Sequence, residues 1–292
     1  MGKIRAPAPG SANPVASRRE LGLRLRSLRT KAGITIEQAA QELLVSPSKI
    51  SRIETGHRTA SLRDIRDLCN LYQVTDAKRR QLTALAEEER EEPWWQPYDL
   101  PSTLATFVGL ETEAIRISDF EPDVIPGLLQ VAGYARAIHE NTFERLSDPA
   151  IARRIEMLQS RQAILTRKDS PADFRAVVDE AAIHRVVGGP AVMSAQLEIA
   201  IAAAELPNVT LQILSYKTGA HPALDSTFIQ LDFADPAPSV IYVEGLAGQL
   251  YFDRPQDVQR YEAIFKRLQV MACSERESVN LLKKAAAEYK RL

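Results

Sequence analysis

Two short helices with well-marked ends lie next to each other early in the sequence and constrain the fold more than any other feature. Thr35 is an N-cap residue, and Gln38 three positions later completes a capping box. Ser46 caps the second helix and Pro47 takes its first position, where the missing N–H is not needed. Gly56 ends that helix. Two helices of this length around a tight turn predict a helix-turn-helix arrangement.

Further helical patterns flank this pair. Leucines at helical spacing predict one helix before it, and two apolar patterns predict helices after it, the last ending in an acidic run before Pro93. We therefore expect an all-α, five-helix domain over residues 17–92. A flexible arm rich in Ala, Pro, Gly and Ser is expected over residues 1–16, because such a segment cannot bury a core.

Charge is divided unevenly along the chain. Residues 1–80 contain 16 Lys and Arg against 7 Asp and Glu, whereas residues 81–292 contain 21 against 31. A basic module is expected of a protein that approaches phosphates, although charged surface can also be merely solvated. Together with the helix-turn-helix spacing, the charge favours binding to double-stranded DNA over an ordinary helix bundle with a basic face.

Candidate DNA-binding residues follow from the geometry of the motif, in which the N-terminal turns of the second helix reach base edges. Four polar residues on its exposed side are the candidates for reading bases: Ser48, Lys49, Ser51 and Arg52. Four others stand where contacts to the DNA backbone fall: Thr35, Gln38, Arg58 and Thr59.

Glu54 is an exception within this basic segment, because a carboxylate facing DNA would repel phosphate. We therefore expect Glu54 to pair inside the domain, with Arg26 or Arg29 of the first helix as partner. Charge reversal at Glu54 is then expected to destabilise the domain.

The remainder of the chain alternates between helical and strand-like patterns. After a Trp- and Pro-containing linker over residues 93–102, five strand-like runs and several helices predict an α+β domain over residues 103–292. We expect the five strands to pair mainly antiparallel, with the last three, which are separated by short turns, forming a meander. Its expected roles are dimerisation, sensing and partner binding.

Catalytic constellations in this second half are weak. Asp179, Glu180 and His184 lie near a strand end, and Glu244 follows another strand, but acid–base or metal chemistry would require them to converge. The four histidines share no metal-ligand spacing, and "VVGGP" lacks the Lys and Ser or Thr of a P-loop. We therefore predict no catalytic residues, no metal, no cofactor and no enzyme activity.

Two loops of the second half are better candidates for recognition. "EPDVIPGLLQ" has two prolines that stiffen a turn able to wall a pocket, and "TGAHPALDSTF" is a long loop of small residues between strands. Packed connections are the alternative for both. We expect these loops to line a sensing or protein-partner surface.

Long stretches of the sequence resemble a known family. "LRSLRTKAGITIEQAAQELLVSPSKISRIETGHRTASLRDI" resembles the phage-repressor-like helix-turn-helix domains of the XRE family. "FVGLETEAIRISDFEPDVIPGLLQVAGYARAI", "VVDEAAIHRVVGG" and "VIYVEGLAGQLYFD" resemble the C-terminal domain of actinobacterial regulators of the WhiJ kind. One departure is that Leu44 and Val45 stand in the turn before the recognition helix, where such repressors usually have Gly; a non-Gly residue adopts that turn at modest strain.

The resemblance implies a lambda-repressor-like DNA-binding domain in a transcriptional regulator linked to development or secondary metabolism. It also implies a small partner protein of the BldB kind, encoded nearby. We expect a homodimer on a palindromic operator, because one small module buries too little surface for tight binding alone. The alternatives are an antitoxin-like protein that sequesters a small partner and regulates its own operon, and an enzyme tethered to DNA.

The expected location is the cytoplasm, in association with the nucleoid. No apolar run reaches the ~18 to 20 residues that cross a bilayer, and the N-terminus lacks the apolar centre of a signal peptide.

Overall fold

A computed structural model describes residues 13–142, 145–235, 237–246 and 248–292. Most of the predicted arm, residues 1–12, lies outside the described residues. The chain divides into two compact units, the first ending at Glu113 and the second beginning at Ala114. Within the described residues there are twelve α-helices and six β-strands.

The first unit is entirely helical in its described part. Its α-helices are α1 (Pro14–Lys31), α2 (Ile36–Glu42), α3 (Pro47–Glu54), α4 (Leu62–Leu71), α5 (Asp76–Glu88) and α6 (Ser102–Glu113). Helix α1 begins inside the last residues of the predicted arm, because the Asn13 side chain accepts a hydrogen bond from the Ala16 N–H and caps it. The predicted helix-turn-helix pair is α2 and α3.

Helices α1 to α4 end in the same way. In each, the residue after the C-cap has a positive φ, and the next N–H reaches back five residues to a carbonyl of the last turn. Glycine provides this conformation after α1 and α3, at Gly33 and Gly56. After α2 and α4 the same position holds Leu44, at φ 53°, and Gln73, at φ 51°. The turn therefore keeps its shape although Leu44 replaces the expected glycine.

Apolar side chains of α1 to α5 form one core. Leu25 of α1, Ile50 and Ile53 of α3, Leu68 of α4 and Leu82 of α5 are at most 2% exposed and belong to the same cluster. Burying each such side chain contributes about 1.5–3 kcal/mol relative to leaving it in water. The recognition helix is therefore held by the core of the domain, with its polar side left outside.

The segment predicted as a Trp- and Pro-containing linker packs inside the first unit. Trp95 is 4% exposed, and the Trp94 indole Nε1–H donates to the Thr112 hydroxyl of α6 at 3.4 Å. Helix α6 also contacts α1, where the buried Asn13 amide donates to the Gly109 carbonyl at 2.8 Å. Helix α6 thus extends the helical unit beyond the five predicted helices.

The second unit contains helices and one sheet. Its strands are β1 (Arg116–Glu121), β2 (Asp173–Asp179), β3 (Val209–Leu214), β4 (Phe228–Asp232), β5 (Val240–Gly245) and β6 (Gly248–Phe252). Its α-helices are α7 (Ala132–Glu140), α8 (Asp148–Gln162), α9 (Glu180–His184), α10 (Pro190–Ala203), α11 (Pro255–Met271) and α12 (Glu275–Tyr289). The predicted class, an all-α domain followed by an α+β domain, is confirmed.

The sheet has the strand order β3-β2-β1-β4-β5-β6. Strands β1, β2 and β3 pair in parallel, with helices in the connections, whereas β4, β5 and β6 form the predicted antiparallel meander. All five predicted strands are present, and β1 is a sixth that was not predicted. It pairs with β2 in parallel and with β4 antiparallel, so it joins the two halves of the sheet. The parallel pairing of β1, β2 and β3 departs from the mainly antiparallel sheet that was expected.

One face of the sheet packs against α11. Phe120, Val177 and Phe228 of the sheet form a buried cluster with Phe265 and Leu268 of α11. None of the helices in the described ranges is long and apolar enough to cross a membrane.

Candidate nucleic-acid interface

The recognition helix α3 separates its buried side from its polar side within eight residues. Its N-terminus is fixed by the Ser46 hydroxyl, which accepts a hydrogen bond from the Lys49 N–H at 3.2 Å. Ile50 and Ile53 are each 2% exposed and point into the core. Ser48 and Arg52 remain exposed, so the helix offers a polar surface that begins in its first turn.

A buried ion pair anchors the far end of α3. The Arg29 guanidinium donates two hydrogen bonds to the Glu54 carboxylate, with Nε–Oε1 at 2.7 Å and Nη2–Oε2 at 2.9 Å. Its Nη1 donates to the Ile34 carbonyl at 2.8 Å. The predicted internal pairing of Glu54 is confirmed with Arg29 as its partner, while Arg26 is exposed. This fork ties α1, α3 and the connection after α1 together.

Close backbone packing reinforces this anchor. A Cβ at Gly22 of α1 would lie 2.5 Å from the Ile53 carbonyl oxygen and 2.7 Å from that of Glu54. Only a residue without a side chain permits this approach, so Gly22 sets the distance between α1 and the end of α3.

The four candidate base-reading residues have different surroundings. Ser48 and Arg52 are exposed, whereas Ser51 and Lys49 are half-buried. Among the described residues, the Arg52 side chain has neither a hydrogen bond nor an ion pair. Arg52 is therefore placed to meet an external acceptor.

Lys49 is engaged inside the domain. Its Nζ lies 2.5 Å from Asp64 Oδ1, and the two side chains are 22% and 19% exposed. The other Asp64 oxygen accepts hydrogen bonds from the N–H and hydroxyl of Ser61 in the capping box of α4. Burial opposes ionisation of Asp64, but the hydrogen bonds from Lys49 and Ser61 outweigh it and lower the pKa of the carboxyl. Sequence reasoning missed Asp64, although the Ser61-to-Asp64 spacing is a recognisable capping signal.

The candidates for DNA-backbone contact also fall into two groups. Thr35 and Gln38 form the predicted capping box: the Thr35 hydroxyl accepts from the Gln38 N–H at 3.2 Å, and Gln38 Oε1 accepts from the Thr35 N–H at 2.8 Å. Arg58 and Thr59 are exposed in the loop after α3. The Arg58 N–H donates to the Arg52 carbonyl at 3.0 Å, so this loop is tied to the end of the recognition helix.

In the second unit, the acidic residues considered for catalysis hold loops at one edge of the sheet. Glu180 Oε2 accepts from the Ser215 hydroxyl and the Tyr216 N–H, both at 2.8 Å, and its Oε1 lies 3.6 Å from His184 Nε2. Asp179 Oδ2 lies 3.8 Å from Nε2 of His221, a side chain that is 4% exposed. The His221 contact attaches the "TGAHPALDSTF" loop to the end of β2, and the Glu180 contacts hold the segment just before that loop.

Glu244 makes a different contact and accepts a hydrogen bond from the Tyr242 hydroxyl at 3.0 Å. Within the described part of the chain, no group of three or more His, Cys, Asp or Glu residues has an arrangement that could hold a metal ion.

The "EPDVIPGLLQ" segment forms one wall of a cavity of about 370 Å³. Leu128 and Leu129, in a 3₁₀ turn, face the ends of α8 and α10 across it. Two glutamine amides fix this wall: Gln162 Nε2 donates to the Gln130 carbonyl at 2.7 Å, and the buried Gln196 donates to the Leu129 carbonyl at 2.7 Å. The stiff turn predicted from the sequence therefore borders a pocket with an apolar lining.

Two family models match the chain, and they define its class. A helix-turn-helix domain matches residues 20–82, which contain α2 and α3, and the domain of unknown function DUF5753 matches residues 104–284. The fold, the exposed polar side of α3 and these matches fit a DNA-binding regulator of the XRE-like helix-turn-helix type.

Because the DUF5753 match covers more than half of its length, the chain belongs to the DUF5753 family. No curated protein shows significant similarity to it.

Proposed function

We propose that the protein is a transcriptional repressor that binds a palindromic operator as a homodimer and takes a signal through its second unit. The observation that carries the proposal is the exposed side of α3, where Arg52 is open to an external acceptor and Ser48 lies one turn earlier. Arginine is the side chain that most often reads guanine, through O6 and N7, and a serine hydroxyl can bond a base or a phosphate.

Anchoring of α3 supports this proposal. Base readout requires a helix whose orientation is fixed before DNA is bound. The Arg29–Glu54 ion pair, the close approach at Gly22 and the buried Ile50 and Ile53 all act on α3. We therefore assign base reading to the side chains of α3. Arg58 and Thr59 are assigned the contacts to the DNA backbone that fix the position of the protein on its site.

The second unit is proposed to receive the signal without catalysing a reaction. Its support is the preformed cavity beside Leu128 and Leu129, whose size lies within the range of small-molecule sites. A small partner protein of the BldB kind is the other proposed source of the signal. The protein is proposed to act in the cytoplasm, in association with the nucleoid.

Selection of genomic DNA with the full-length protein tests the proposal. The protein is incubated with genomic fragments, with and without the small proteins that co-purify with it, and binding to the recovered site is measured at two salt concentrations. A palindromic site whose affinity changes with the partner supports a signal-gated regulator. No enriched site, with a stoichiometric small protein still bound, contradicts the proposal and favours the antitoxin-like alternative.

Two arginine variants test the assignment of roles. Arg52→Ala is expected to weaken binding to the selected site by about 1 to 3 kcal/mol and to relax its specificity, because a base contact is lost. Arg58→Ala is expected to weaken binding to all DNA similarly. It should also reduce the salt slope, the slope of log K against log salt concentration, by about one. If the two variants behave alike in competition binding, the division between readout and register is wrong.

A further inference from the structure

Lys49 occupies the first turn of the recognition helix, where side chains reach base edges, but its ammonium is already bound. Its Nζ lies 2.5 Å from Asp64 Oδ1, and about four fifths of each side chain is buried. Asp64 in turn belongs to the capping box at the start of α4. The ion pair therefore joins the start of α3 to the start of α4.

This pair changes the charge that the domain presents to DNA. A free carboxylate at Asp64, beside the first turn of α3, would repel phosphates. With Lys49 bound to it, the two charges cancel, and Lys49 contributes no excess positive charge. A Lys49 that turned to a guanine would break a charge-assisted hydrogen bond and leave Asp64 unpaired next to the DNA.

We propose that Lys49 and Asp64 form a charge-neutral pair, in which Lys49 neutralises Asp64 instead of reading a base, and base reading falls to Ser48, Ser51 and Arg52. The proposal rests on the proposed function, in which α3 enters the major groove. It reassigns Lys49, which by its position in the sequence was expected to read a base.

Four forms of the full-length protein separate charge compensation from base reading: wild type, Lys49→Met, Asp64→Asn and the double variant. Each is titrated against the DNA site selected by the wild type and against a scrambled site, at two salt concentrations. Lys49→Met is expected to weaken binding to both DNAs about tenfold and to reduce the salt slope by about one, because the negative charge of Asp64 is left uncompensated. Asp64→Asn frees a positive charge and is expected to increase the salt slope by about one.

The double variant gives the decisive result. If Lys49 only compensates Asp64, removing both charges restores affinity to within about threefold of wild type for both DNAs. The ratio of selected to scrambled affinity then stays constant in all four proteins. A base-reading lysine would instead lower that ratio about tenfold in Lys49→Met, with no recovery in the double variant, and this would overturn the proposal.

Folding controls keep the outcomes distinct. Asparagine at position 64 retains an oxygen that can accept the capping hydrogen bonds of Ser61, and tryptophan fluorescence confirms that each variant is folded before titration. Lys49→Arg keeps the ion pair and is expected to retain the wild-type salt slope. A Lys49→Met variant with unchanged affinity and slope would also overturn the proposal, whereas a wild type that prefers no DNA would contradict the proposed function itself.

Discussion

Two glutamates, one in each unit, show how differently the units treat a carboxyl group that is largely removed from water. Glu54 is 3% exposed and is held by both ends of the Arg29 fork. Glu121, at the end of β1, accepts a hydrogen bond from the Thr227 hydroxyl at 3.0 Å. Burial, together with the negative charges of Glu244 and Asp123, raises the pKa of Glu121 to about 7.

The difference is that Glu54 holds a structure fixed, whereas Glu121 can respond to pH. An acid held by a bidentate cation fixes a structure, whereas a largely buried acid beside other acids changes its protonation near neutral pH. The first unit places its acid at the C-terminal end of the recognition helix, where a fixed orientation serves DNA binding. The second unit places its acid at the edge of the sheet where Asp179 and Glu180 also lie.

Arg29→Met tests the role of Glu54 and has the largest expected effect. It leaves the Glu54 carboxylate buried without a cation, and we expect the first unit to lose about 3–5 kcal/mol of unfolding free energy. Urea unfolding followed by tryptophan fluorescence measures this directly, because both tryptophans of the chain lie in the first unit.

A surface pair and a double variant serve as controls for Arg29. Arg24→Met removes an exposed partner of Glu20 and is expected to change stability by less than about 1 kcal/mol. The double change Arg29→Met and Glu54→Met is expected to recover most of the loss, since no charge remains buried. Equal effects of Arg29→Met and Arg24→Met would show that the buried fork does not stabilise the domain.

Glu121→Gln tests whether Glu121 titrates near neutral pH. The folded-state pKa of about 7 exceeds the ordinary value of 4.5, so the folded protein keeps a proton that the unfolded chain releases between these pH values. This contribution to stability is complete below about pH 4.5 and is lost as the pH rises through 7. Relative to wild type, the variant should therefore gain stability as the pH rises, by at most about 3 kcal/mol.

Hydrogen exchange of the β1 and β4 amides at pH 5 and pH 8 measures this gain in the second unit. Glu156→Gln, on the exposed side of α8, is the matched control and should show no such pH-dependent difference. If Glu121→Gln and wild type keep the same stability difference at both pH values, Glu121 does not titrate near neutrality.

Helix ends and hydrophobic spacing were sufficient to predict helices α1 to α5 of the first unit. The capping residues Thr35, Ser46 and Ser61 and the stops at Gly33 and Gly56 act within a few residues, so they are readable from the sequence. The same reasoning anticipated the pairing of Glu54, because an acid in a DNA-facing helix requires an internal partner. It could not place Lys49, because the side-chain distance to Asp64 depends on how α3 and α4 pack.

Strand β1 shows why the sheet was harder to predict. Its sequence, "RISDFE", contains Ser118 and Asp119, which are 5% and 2% exposed in the middle of the sheet. Polar residues in a central strand hide the apolar run that would identify it. The parallel pairing of β1, β2 and β3 was missed although strands that alternate with helices favour it, because β1 was not recognised and the three closely spaced last strands favoured an antiparallel sheet.

The smallest expected effect concerns the turn before the recognition helix. Leu44 is 93% exposed and adopts φ 53°, a conformation that favours glycine. Leu44→Gly removes the strained Cβ, at the cost of a more flexible unfolded chain, so we expect a net stabilisation of about 0.5–1 kcal/mol. Leu44→Ala keeps the Cβ and loses little packing, and its stability should match wild type.

The same change at Gln73, which has φ 51° after α4, should stabilise the domain by a similar amount, because the two helix ends share one geometry. Tryptophan-detected urea unfolding resolves these differences. A Leu44→Gly variant that is less stable than Leu44→Ala would show that the turn is not strained. A third outcome is that glycine stabilises the domain at Gln73 but not at Leu44. That result would mean that contacts of the Leu44 side chain in the helix-turn-helix connection offset its unfavourable positive φ.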